Sequence, residues 1–282
     1  MSTDDPKGER GDDPDSWLGL SRRNGGGPLE GGGWFRDCRN AAIVLTGWPL
    51  GRRGEIGRSA AADSRRAFVP VGLALGLAAA VIGWIADGLG LQIFGAAVFA
   101  AAALVILTNA RAESGAAAAA ADLAATEAGS DRRFALIAGC VGAILLARVA
   151  GLSALASLAD MLAALIAAQV LSAAIMALGT LPGTAYAVRA DESDPLFGPQ
   201  RDGEHDGAGS IVLWAGAAAA LLLAILFLGV WTGLLAYAAA MLVAGLVWGA
   251  AEICRMPRDR NFLYTIRIKT ELAVVVTVVA VS

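Results

Sequence analysis

Histidine and cysteine are scarce in this chain, with one His and three Cys in 282 residues. His205 stands alone in a polar stretch, without the partners that a ligand or proton-transfer role requires, and reads as a solvated side chain. Cys38, Cys140 and Cys254 lack metal-ligand spacing; an odd count on such segments reads as reduced thiols. Charged residues are few, at 17%, and are confined to a handful of segments. There is no phosphate-binding loop, nucleophile elbow or zinc-binding helix motif, which removes the common soluble enzyme classes. The basic residues follow the boundaries of apolar runs rather than forming a separate domain, which excludes nucleic acid as a partner. No secretory signal is expected, because about 40 polar or Gly-rich residues precede the first apolar run.

What the chain has in abundance is long uncharged sequence. Hydrophobic residues make up 57% of it and the mean hydropathy is +0.62. A helix crossing the hydrocarbon core needs roughly 20 apolar residues. Six stretches qualify, at 68–86, 91–108, 134–152, 157–178, 211–228 and 230–250, and a shorter seventh, 272–282, either lies in the interface or ends partway. The runs are continuous rather than alternating, which excludes a β-barrel. The expected fold is all-α and polytopic, with six or seven transmembrane helices and membrane lipid as its immediate partner. Residues 1–40, acidic and then Gly-rich, form an expected disordered tail ahead of a transmembrane domain at 41–282. A short interfacial helix is expected over 41–50, stopped by Pro49.

Almost every Lys and Arg lies in the N-terminal region, at 109–133, at 179–210 or at 255–269, whereas the opposite turns are tiny. The positive-inside rule then puts the N-terminus and all long loops in the cytoplasm. Within the apolar segments Arg148 and Asp160 stand near the same outer end, with pairing across the hairpin or separate contact with interfacial water as the two readings. Glu252 and Glu271 flank the last cytoplasmic segment. The loop at 108–133 offers Glu113, Asp122, Glu127 and Asp131, of which Glu127 and Asp131 share a helical face.

Several short stretches, taken in order, carry a family resemblance. They are Leu45-Thr46-Gly47-Trp48-Pro49-Leu50, Arg65-Arg66-Ala67-Phe68-Val69-Pro70-Val71-Gly72-Leu73, Thr108-Asn109-Ala110 and Thr270-Glu271-Leu272-Ala273-Val274. In sequence and spacing they resemble the L-T-R-L-P, R-A-x-x-F-P-L-V-G-L, T-G-A and T-E-L-A-V elements of the cobalamin synthases, the adenosylcobinamide-GDP ribazoletransferases. The resemblance implies a polytopic protein of the bacterial inner membrane. It also implies a magnesium-dependent phosphotransferase-type reaction that joins activated cobinamide to alpha-ribazole or its phosphate and releases GMP.

The departures fall on the chemistry. The family follows T-G-A with an aspartate-rich run suited to holding magnesium against a diphosphate. Aligned from Thr108, those aspartates fall on Ser114, Ala118 and Ala121; by the better local match the last two fall on Ala125 and Ala128. A later aspartate is replaced by Asn261, which keeps an oxygen but loses the charge that attracts a divalent cation. What remains as a candidate metal set is Glu113, Asp122 and Glu127, with Arg132, Asn261 and Glu271 as candidate substrate-binding residues. The expectation is impaired or absent transfer, with magnesium as cofactor only if activity persists. A corrinoid or nucleotide intermediate, an active family partner or a second copy are the expected partners. The alternative is a non-catalytic membrane scaffold or transporter subunit.

Overall fold

The structure is a computed structural model and describes residues 31–48, 64–124, 130–180, 207–253 and 260–282. Among these are nine α-helices and no strand: α1 (Gly31–Thr46), α2 (Phe68–Gly88), α3 (Gln92–Leu107), α4 (Arg111–Ala124), α5 (Ser130–Ser153), α6 (Leu158–Leu178), α7 (Gly207–Leu228), α8 (Val230–Ile253) and α9 (Arg260–Val281). A single 3₁₀ turn, Ser64–Ala67, leads into α2. Continuous Ala, Leu and Val satisfy their backbone groups within each helix, which is the arrangement that lipid demands.

Among the described residues, five stretches are long and apolar enough to cross a membrane: Ser64–Gly88, Phe134–Ser153, Leu158–Leu178, Ile211–Leu228 and Val230–Ile253. The expected span at 91–108 is α3, which is 16 residues long and continues into α4 after a bend of 81°. Counted as one broken span, the pair brings the total to six. The stretch 272–282 is the C-terminal half of α9, a helix whose first half is too charged to count as a span.

Two expectations need correction. The loop expected at 108–133 contains a helix, because Arg111–Ala124 forms α4, a run of alanines with high helix propensity that buries Ala112, Ala117, Ala119 and Ala121, while 125–129 lie outside the described residues. The first helix begins at Gly31 rather than at 41, so the expected boundary at residue 40 falls inside α1; residues 1–30 lie outside the described residues.

The helix α6 is the hub. It packs against α2, α7 and α9, and 83% of its span is buried, against 11% for the span in α5. Close approach between α2 and α6 depends on two glycines. A Cβ on Gly72 would lie 2.6 Å from the Ala173 Cβ and 2.8 Å from the Gln169 carbonyl oxygen, and one on Gly76 would lie 2.9 Å from the Ile166 Cα. Small residues let helix backbones meet where lipid supplies no hydrophobic drive between helices. At the α6 N-terminus, Ser157 caps the helix by accepting from the Asp160 N–H at 3.1 Å, and its hydroxyl donates to the Asp160 carboxylate at 2.6 Å.

Gly72→Val should cost about 2 kcal/mol through overpacking at the α2–α6 contact, whereas Gly245→Val, where a Cβ meets nothing within 4 Å, should stay within about 0.5 kcal/mol of the parent. Unfolding in detergent measures both; equal stabilities would contradict the packing described here.

Candidate functional site

Among the described residues, the apolar bundle holds a buried charged cluster assembled from three helices. Glu113 sits in the first turn of α4, Arg148 on α5 and Glu271 on α9, and none is more than 2% exposed. Arg148 Nη1 donates to Glu113 Oε1 at 2.7 Å. Its Nη2 donates to Glu271 Oε2 at 3.0 Å, and its Nε lies 2.7 Å from Glu271 Oε1. One guanidinium fork therefore holds two carboxylates. Glu113 Oε2 is buried and has no hydrogen-bond partner.

A second arginine extends the cluster. Arg267 stands one helical turn before Glu271 on α9 and is 1% exposed. It donates through Nη1 to the Leu45 carbonyl and through Nη2 to Gln169 Oε1, both at 3.1 Å. Nearby, the Tyr264 hydroxyl donates to the Val44 carbonyl at 2.7 Å. Val44 and Leu45 belong to the last turn of α1, whose carbonyls have no partners within the helix. Tyr264 and Arg267 thus cap α1 from the side, and the positive charge suits a helix C-terminus. Burial pushes the Arg267 guanidinium below its ordinary pKa, with Glu271, Tyr264 and Glu113 pulling the other way. Gly47 closes the cap at φ +74°, where a Cβ would also collide with Arg111 Nε.

Charge counting explains why such a cluster is tolerated. Glu113 and Glu271 balance Arg148 and Arg267. A buried charge without a partner would be costly, whereas a paired and hydrogen-bonded set is allowed. Asp37 and Arg66 form a separate ion pair between α1 and the turn before α2. Beside them, burial and then Asp37 raise the Cys38 thiol pKa, opposed by Arg66, so this cysteine is not an activated nucleophile.

Glu113 and Glu271 thus meet, but through Arg148 rather than around a metal. Asn261 lies ten residues before Glu271, about 15 Å along α9 at the usual helical rise, and is not part of the cluster. The side chains of Asp122 and Arg132 lie outside the described residues, as do Glu127 and His205. The pairing of Arg148 with Asp160 is not formed. Asp160 is exposed and engaged at the α6 cap, and Arg148 turns inward to two carboxylates from other helices. Arg267, read from sequence as part of a basic membrane boundary, is instead buried. The signal available for it was the four-residue spacing Arg267 to Glu271 on one helix face.

Of the candidate metal set, the side chain of Glu113 alone is described, and it faces Arg148 rather than a second carboxylate. Among the described residues no group of three His, Cys, Asp or Glu gathers in coordinating reach, and a guanidinium already occupies the space between the two buried carboxylates. Ala112 and Ala121 face the interior as packing residues. The chain matches no protein-family model, no curated protein and no solved structure.

Arg148→Met would strand two carboxylates and should cost about 3–5 kcal/mol, whereas Arg148→Lys, which keeps the charge but loses the fork, should cost distinctly less. Denaturant unfolding in detergent tests this order; two variants as stable as the parent would contradict it.

Proposed function

We propose that this is a protein of the bacterial inner membrane, with its N-terminus and long loops in the cytoplasm, built on a cobalamin synthase-like plan but without magnesium-dependent ribazoletransferase chemistry. Its role is to bind a corrinoid or nucleotide intermediate, or to assist an active family partner. The observation that carries this reading is the commitment of Glu113 and Glu271 to Arg148. Transfer between phosphates depends on neutralising their charge and on positioning, and a metal can do neither without anionic ligands to hold it. Alanine at 118 and 121, and Asn261, support the same reading. The distribution of basic residues supports the orientation.

A second reading, a transporter subunit, rests on the 81° break between α3 and α4 beside buried charges. Broken helices with charges at their ends are how transporters build substrate sites. The break occurs without proline, at Thr108-Asn109-Ala110, with positive φ at Asn109 and Ala110.

Expression in a strain lacking the synthase discriminates between the outcomes. The proposal expects no restoration of cobamide synthesis, together with measurable corrinoid or nucleotide binding by the purified protein. Restored synthesis would overturn it, and substrate accumulation in proteoliposomes would favour the transporter reading.

A further inference from the structure

The helix α4 differs from its neighbours in how it is held. It joins α3 through Asn109 and Ala110, at φ 51° and 52°, a left-handed conformation that asparagine adopts readily and alanine only at a cost. Its packing face consists of small residues: Ala112, Ala117, Ala119 and Ala121 are buried, and Gly115 lies so close to Tyr264 that a Cβ would be 2.7 Å from the Tyr264 Cβ. Alanine buries little apolar area per residue, so this face grips weakly. The strong tie is electrostatic, from Glu113 to Arg148. That tie is incomplete, because Glu113 Oε2 has no partner. On the other side of the cluster, Arg267 Nε is also buried without one.

Lifting α4 would withdraw one negative charge. Arg148, Arg267 and Glu271 would remain, with a net positive charge, a free Nη1 on Arg148 and an unused Nε on Arg267. Such a set binds an oxyanion through charge-assisted hydrogen bonds. We propose that α4 is a hinged lid whose Glu113 carboxylate plugs an oxyanion site on Arg148, and that a phosphate-bearing ligand displaces it. The Glu113–Arg148 pair favours closure. This inference does not rest on the resemblance to ribazoletransferases, and loss of that reading leaves it standing.

The test uses the full chain in phosphatidylcholine nanodiscs, with Cys38, Cys140 and Cys254 replaced by Ser and with Ala117→Cys, at a position buried in the parent, as reporter. Two probes are compared: inorganic phosphate, and phosphatidic acid included in the nanodisc. Glu113→Gln should bind a probe about tenfold or more tightly than the parent, since one competing charge-assisted contact is gone. Adding Arg148→Gln should abolish that gain. A gain with phosphate identifies a soluble ligand, and a gain with phosphatidic acid alone identifies a lipid headgroup. No gain with either overturns the proposal. If Glu113→Gln does not fold, the chain with Glu113 intact decides. Phosphate or phosphatidic acid must then raise maleimide labelling of the reporter thiol on α4, and labelling unchanged by both probes overturns the lid.

Discussion

The structure depends on one guanidinium. Arg148 is the point at which α4, α5 and α9 are joined by directional contacts rather than by apolar packing alone. Its partners are 35 and 123 residues away in sequence, so the pairing ties together helices distant along the chain. Small residues let these helices approach closely, and a buried carboxylate cannot leave its cation for an apolar surrounding without a large penalty. In this bundle the ion cluster supplies specificity and the small residues supply closeness.

The second organising element is α6, from which Gln169 reaches Arg267 while Gly72 and Gly76 of α2 press against Ile166, Gln169 and Ala173. Arg267 in turn reaches back to the end of α1. The same side chain therefore joins the hub, the capped helix and, through Glu271 one turn on, Arg148. Polar groups that would be costly one at a time become acceptable as a connected set. This connectivity also explains why α1 and α9, which do not qualify as spans, belong to the core.

The helices were legible in the sequence because long continuous apolar runs have few solutions other than a buried or membrane-crossing helix. The runs at 157–178, 211–228 and 230–250 correspond closely to α6, α7 and α8. The stretch at 111–124 was harder to read. Its alanines announce a helix, but the flanking charges draw attention to a loop, and only burial against α9 decides between them. Glu113 stood out as one of four acids in the stretch after the second apolar run, and Glu271 as a flank of the last basic segment. Their shared partner was not legible, because a one-dimensional reading favours neighbours such as Asp160, and nothing local announces a contact across 123 residues. Arg267 was hidden for a different reason. A basic residue near Lys269 looks like a boundary marker until its side chain is seen pointing inward.

The most direct measurement is a double-mutant cycle between Glu113 and Arg148, with Glu113→Gln, Arg148→Met and the double variant unfolded in the same detergent. If the buried pair ties α4 to α5, the two substitutions are coupled by about 2 kcal/mol or more. Strictly additive losses would mean that the two side chains do not sense one another, and would contradict the account at its centre.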